Sequence, residues 1–219
     1  MVTFSEIKDN PQIKTYISTA DKALSVMGFT EHSFPHSMKV AEVAKYILST
    51  LGYSQREIEL AQIASYLHDI GNLVNRIEHA QSGAVMAFRI LDNLGMPPED
   101  ISIVVSAIGN HDESTAFPVN AVAAALILAD KTDVRRSRVR NATIASFDIH
   151  DRVNYSVQNA SVVLDDEKKV IALQLDIDTE YGTVMDYFEI FLNRMILCRK
   201  AAEKLNLKFR LIVNKQRLL

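Results

Sequence analysis

The chain has 219 residues, 48% of them hydrophobic, with 24 basic and 27 acidic side chains and a formal net charge of −3. That near-balance excludes a global field that would draw the chain to nucleic acid or an acidic membrane. A single cysteine, Cys198, excludes an internal disulfide framework and suits a reducing compartment. Met1 to Lys8 lacks a basic segment followed by an apolar core, and the longest strongly apolar run, Ala121 to Ala129, is far below the ~20 residues that span a bilayer. The expectation is a soluble cytoplasmic protein with no membrane partner.

Residues 1–140 read as a string of helices. Asn10-Pro11 is a cap followed by proline at the first helical position, opening a helix to about Met27-Gly28. Pro35 opens a second, with Val40, Val43, Ala44, Ile47, Leu48 and Leu51 at helical spacing before Gly52. Ser54 and Glu57 form a capping box for a third, which carries Ile58, Ala61, Ile63, Ala64 and Leu67 and ends at His68-Asp69, with Gly71 as the helix terminator. After a loop to Glu78, His79 starts a helix stopped by Gly95. Pro97-Pro98 opens one that ends near Gly109-Asn110-His111, and an Ala-rich helix runs from about Asn120 to Lys131.

Residues 141–154 lack a clear period, and the pattern changes after them. Leu173, Leu175 and Ile177 alternate with polar residues as a half-buried strand, and Val157 to Leu164 reads as its hairpin partner across Asp165 to Lys168. Thr183 and Asp186 cap a long helix with the apolar stripe Val184, Tyr187, Phe188, Phe191, Met195, Cys198, Ala202 and Leu205. Phe209 to Val213 reads as a last strand. The expected fold is mainly α: a helical bundle over residues 1–150 and a small C-terminal α+β (ββαβ) subdomain over 151–219, one helix stacked on a small sheet. Exposed sheet edges are able to pair with a second subunit, so a homodimer is one expectation for this tail.

Six side chains fall at or near helix ends, or on a helix face, in the helical half: His36, His68, Asp69, His79, His111 and Asp130. An apolar-flanked Asp69 needs a strong partner, since an unpaired buried carboxylate costs several kcal/mol, roughly. A divalent metal is one such partner, and bundle cores host such sites. Imidazoles and carboxylates without thiolates suit iron, manganese, zinc or nickel and argue against a structural zinc site. Four histidines and two carboxylates are too many for one octahedral ion with open positions, so two ions bridged by a carboxylate fit better. Taken singly, each of these histidines reads as an ordinary surface or hydrogen-bonded residue; the set carries the argument. His32, set before the helix by Pro35, and His150 are given the ordinary reading.

In these residues the chain resembles the HD-domain superfamily of metal-dependent phosphohydrolases. The matching pieces are His36 with Val40 and Ala44 downstream, LHDIGN at 67–72, GNHDE at 109–113 and LADKTD at 128–133, covering roughly residues 30–140. Within the superfamily the pattern resembles the dinuclear variant used by symmetric dinucleoside-tetraphosphate hydrolases, HD-GYP cyclic-dinucleotide phosphodiesterases and a few di-iron oxygenases. The resemblance implies two divalent transition-metal ions, iron or manganese first, with zinc, nickel and magnesium as further candidates. His36, His68, Asp69 and Asp130 would hold one ion, and Asp69 would bridge to a second on His79 and His111.

The chain departs from the HD-GYP pattern: Asn72 stands where a lysine is usual, and Gly-Tyr-Pro is missing near Phe117-Pro118. ADKTDVRR is closer to the ending of the dinucleoside-tetraphosphate hydrolases. The implied activity is cleavage of a phosphoester or phosphoanhydride of a small phosphorylated, nucleotide-like substrate by a bridging hydroxide. Asp69 would keep the ions together as a catalytic residue.

Lys131, Arg135, Arg136, Arg138 and Arg140 follow the last ligand, and such groups bind phosphate. Lys131, Arg135 and Arg136 are the candidates for substrate phosphate, Lys131 and Arg136 being those the family pattern singles out; a solvated basic face is the alternative for any one of them. Asp112 and Glu113, beside His111, would support the ligands or give a proton to the leaving group, with surface acids as the equal alternative. A di-iron oxygenase and a non-catalytic metal-dependent sensor are the rival functions.

Overall fold

The computed structural model describes residues 1–113, 115–141, 143 and 147–218. Residues 142 and 144–146, within the stretch that lacks a clear period, lie outside the described residues. The fold is mainly α with a small four-stranded C-terminal sheet.

The helices start and stop where local chemistry expects, with two additions. Thr3 and Glu6 make a reciprocal capping box for α1 (Phe4–Asp9), which periodicity did not reveal because the helix is barely two turns long. Asn10 accepts from the backbone of Gln12 and Ile13 to open α2 (Pro11–Val26). Then come α3 (Phe34–Leu51), closed by left-handed Gly52, and α4 (Gln55–Leu67), opened by the Ser54–Glu57 box. The bundle is completed by α5 (His79–Asn93), α6 (Pro98–Gly109) and α7 (Ala121–Lys131), the last capped by Asn120. The second addition is α8 (Ile149–Ser156), opened by Asp148.

Helices α3 to α7 pack on one another, with α4 and α7 buried over most of their surfaces. A helix apolar all round belongs in the middle of a bundle, and the Ala-rich α7 lets its neighbours approach closely.

The tail forms β1 (Val157–Leu164), β2 (Val170–Ile177), α9 (Val184–Lys204), β3 (Lys208–Val213) and β4 (Gln216–Arg217). β1 and β2 are the expected antiparallel hairpin, β2 and β3 run parallel across α9, and β4 returns antiparallel to β3. The two-residue turn into β4 places Asn214 and Lys215 at φ 48° and 68°, the left-handed pair that a tight hairpin requires. Asn-Lys is a poor advertisement for such a turn, which is why β4 was not expected.

One apolar cluster runs from Ile7 and Ile13 through Leu126 and Ile127 to Phe191, Cys198 and Leu211. α9 packs on α7 as well as on β3. The division placed between residues 150 and 151 falls inside α8, whose buried Val153 and Ser156 lead directly into buried Val157, the first residue of β1. Among the described residues no helix is long and apolar enough to cross a membrane.

Gly71 differs from its expected role. It lies in a 3-10 turn (Ile70–Leu73) and is not a left-handed cap. A Cβ there would sit 2.0 Å from the His79 carbonyl oxygen and 2.4 Å from the Gly83 nitrogen. The glycine is needed because two backbones cross, α5 lying directly against the turn that carries Asp69. Gly71→Ala therefore presses on backbone that cannot give way; the expected loss is about 3 kcal/mol or more, read as a fall in the urea midpoint.

Candidate metal centre

Each of the six expected ligands is brought to one place by a different local device. His36 sits in the first turn of α3, His68 caps the C-terminus of α4, and Asp69 follows in the bridge conformation (φ −93°, ψ 2°) as the helix tightens into the 3-10 turn. His79 opens α5, His111 follows α6, and Asp130 lies in the last turn of α7.

The imidazole orientations are set from behind. Nδ1 of His68 lies 2.7 Å from the Ser65 carbonyl, Nδ1 of His79 3.0 Å from that of Arg76, and Nδ1 of His111 2.6 Å from that of Ile108. A carbonyl only accepts, so each Nδ1 carries the proton. His36 Nδ1 meets the buried Asp133 carboxylate at 2.8 Å. All four Nε2 atoms are thereby left as ligand lone pairs, the arrangement that supporting hydrogen bonds give to metal-binding histidines.

These lone pairs converge with carboxylate oxygens. His36 Nε2 is 3.3 Å from His68 Nε2, 3.4 Å from Asp130 Oδ1 and 3.6 Å from Asp69 Oδ2. His68 Nε2 is 3.1 Å from Asp69 Oδ2, while Asp69 Oδ1 faces His79 Nε2 at 3.4 Å. Ligand atoms of His36, His68 and Asp130 lie within 4.8 Å of one another, as do those of His68, Asp69 and His111. Asp69 thus turns one oxygen to each side of the cluster. Asn72 fixes it there, its Nδ2 donating to the Asp69 carbonyl (2.9 Å) and to Oδ1 (3.0 Å).

A buried group of acceptors that faces itself is unfavourable without positive charge among them. Burial disfavours a charged His68, but the Asp69 and Asp130 carboxylates outweigh it and raise its pKa to about 10. Burial likewise pushes Asp69 upward, yet the His68 cation holds it well below the usual carboxylate range. His111 goes the other way: burial, with the His68 and Lys131 cations nearby, lowers it to about 3. A proton on His68 Nε2 stands where a metal cation would sit. The donor set therefore fits hard or borderline divalent ions.

The ligands open onto a cavity of about 340 Å³. Asp69, His79, His111, Asp130 and Lys131 line it, and the Lys131 ammonium lies 2.6 Å from Asp130 Oδ2 and 3.4 Å from Glu113. Asp112 stands beside the centre, 4.0 Å from His79 Nε2.

Arg135 and Arg136, expected at the substrate phosphate, are placed elsewhere. Both face a second hollow, next to β1. Arg135 is bound to Asp133, Ser137 and Glu31. Arg136 donates to the Tyr155 carbonyl at 2.6 Å and lies over the Tyr155 and Tyr181 rings. The chain turns away after Thr132, so residues adjacent in sequence to Lys131 diverge from it. Arg138 is buried, bonded to the carbonyls of Asp133 and Glu31, and Arg140 pairs with Asp21.

Other residues line the cavity instead: Arg76, His32, His150 and Arg194. Arg76 lies in a loop and carries no sequence signal. Arg194 stands beside the buried stripe of α9, three residues after Phe191 and four before Cys198, a faint signal that a cation is turned inward. His32, its Nδ1 2.6 Å from the Thr30 carbonyl, is pushed well below its usual pKa by burial and the Arg138 cation, and is a wall residue beside His36.

Residues 34–141 match the family model of the HD domain. An uncharacterized protein of Methanocaldococcus jannaschii is 24% identical over 202 residues, an alignment covering 82% of this chain and 77% of the relative. A crystal structure of a predicted HD superfamily hydrolase from an uncultured Thermotogales bacterium shares 24% identity, with 61% of this chain and 75% of that one covered and a TM-score of 0.45.

Two outcomes are expected from the centre. His68 is raised from 6.5 to about 10, so in chelator-treated protein its contribution to stability is complete below about pH 6.5 and is lost as pH rises through about 10. Metal displaces that proton, so the melting temperature of loaded protein should be flatter over the same window; identical slopes for the two forms would count against the cluster as a metal site. Arg136→Ala should lower the melting temperature by a few degrees and leave metal content unchanged, as atomic absorption would show.

Proposed function

We propose that the protein is a metal-dependent phosphohydrolase with a dinuclear centre. The match of residues 34–141 to the HD-domain model supports the hydrolase class, and one observation carries the dinuclear reading: Asp69 presents Oδ2 to His36 and His68 and Oδ1 to His79. His36, His68, Asp69 and Asp130 would hold one ion, and Asp69, His79 and His111 the other. Iron or manganese suits these ligands first, with zinc, nickel and magnesium also compatible. When bound, such ions activate water near neutral pH and neutralise phosphoryl oxygens.

The chain's own groups have the remaining tasks. Lys131, buried against Asp130, binds a phosphoryl oxygen at the cavity wall. The attacking water forms the new P–O bond as the bond to the leaving group breaks, and a proton reaches the leaving oxygen through Asp112, the acid beside His79. The cavity has room for a small phosphorylated or nucleotide-like substrate. A cytoplasmic location, a helical part and a smaller tail as two structural units, and a homodimer through a free sheet edge complete the proposal.

Metal analysis of anaerobically purified protein, with phosphate release followed over a nucleotide panel, tests it. About two ions per chain with phosphate release is the expected result; dioxygen consumption without release would assign an oxygenase. Asp69→Ala should lose both ions, and unchanged stoichiometry would refute the bridge.

A further inference from the structure

α9 lies outside the residues that match the HD domain, yet it sends one cation into the metal cavity. Arg194 rests its guanidinium over the Phe191 ring, 4.5 Å from the centroid, and its Nε meets Glu113 Oε1 at 2.6 Å. No described residue engages Nη1 or Nη2. The other Glu113 oxygen lies 3.4 Å from the Lys131 ammonium, which itself touches Asp130 at 2.6 Å. Glu113 therefore holds together two cations that both line the cavity beside a proposed metal ligand.

We infer that Arg194 is a substrate-binding residue for a phosphoryl anion, and that Glu113 is the carboxylate this anion displaces. Three features support the assignment. The Phe191 face holds the guanidinium plane in one orientation, so little entropy is lost on binding. The unengaged Nη pair is the half of the fork that grips two oxygens of a tetrahedral anion. The location, next to Lys131 and Asp130, puts this grip at the edge of the ligand cluster instead of at a distant surface. Arg194 thereby takes the part that sequence adjacency had assigned to Arg135 and Arg136.

Across the cluster Arg76 reaches toward Asp69, 3.9 Å away, and donates to Asn72 Oδ1 at 3.3 Å. The cavity thus has cations beyond each of the two carboxylates, and Arg194 with Lys131 forms the pair beyond Asp130.

A carboxylate between two cations offsets their charge and weakens their hold on an incoming anion. Its sign makes the inference separable from a plain structural salt bridge. If the Glu113–Arg194 pair merely fastens α9 to the loop after α6, removing either partner impairs the protein alike. If Glu113 competes with the ligand, the two substitutions act in opposite directions. The inference rests on the phosphohydrolase reading only for the ligand's chemistry, not for turnover.

The test uses metal-loaded full-length protein titrated calorimetrically with inorganic phosphate, with metal content and melting temperature measured for every variant. Arg194→Ala should weaken phosphate binding about tenfold or more, Arg194→Lys less, and Glu113→Gln should tighten it several-fold, all with metal content unchanged. Arg89→Ala, an exposed charge on α5, removes the same charge elsewhere and should change nothing. Wild-type affinity in Arg194→Ala, weakening in Glu113→Gln, or absence of phosphate binding by the wild type would overturn the inference. Phosphate binding that follows this pattern without hydrolysis of any phosphorylated compound would retire the phosphohydrolase reading and leave Arg194 as an anion site.

Discussion

Bringing like acceptors together in a largely buried space is the constraint on which the structure depends. Four imidazole nitrogens and two carboxylates gather where the 3-10 turn, α3, α5, α6 and α7 meet. Such a gathering repels itself unless positive charge sits within it, and it collapses into mutual hydrogen bonds unless each ring is held from behind. The chain meets the second need with one local device used three times. His68, His79 and His111 each lean on the carbonyl three residues earlier, those of Ser65, Arg76 and Ile108. His36 does not use that device; its support comes from Asp133, almost a hundred residues later.

That long-range support explains the strand of buried charge behind the site. Asp133 receives His36 and Arg135 and lies near Arg138, which ties it to the Glu31 segment before α3. Burial would raise the Asp133 carboxyl, but the hydrogen bond and charge of His36, with Arg138 and Arg135, hold it far below its usual range. The basic run after Lys131 therefore serves largely as scaffolding for His36. An arginine near a metal centre in sequence is as readily used to hold a ligand's partner as to hold a substrate.

The C-terminal segment is part of the same construction. α9 packs on α7, the helix that carries Asp130 and Lys131, and its inner face runs Phe191, Arg194, Met195, Cys198. Cys198 is wholly buried there and its thiol is pushed far up by burial, so it behaves as a small apolar filler. α8 contributes the opposite wall with Asp148, His150, Asp151 and Asn154. A tail that looked like an appendage by its change of period thus closes the cavity of the helical part.

What the residues determined alone was whatever depends on near neighbours. Caps at Asn10, Ser54 and Thr183, the helical stripes, and the alternation of Leu173, Leu175 and Ile177 act over a few residues, and each appears in the fold as read. The six-residue constellation was legible because its members sit at or close to element ends, where local rules place them. Tertiary structure decided the rest. Gly71 looked like a helix stop and is a crossing point of two backbones, since close approach involves residues remote along the chain. Arg135 and Arg136 left the cavity while Arg76 and Arg194 entered it, because the direction a long cationic side chain takes is set by the partners that surround it, and those partners are assembled only when the chain folds.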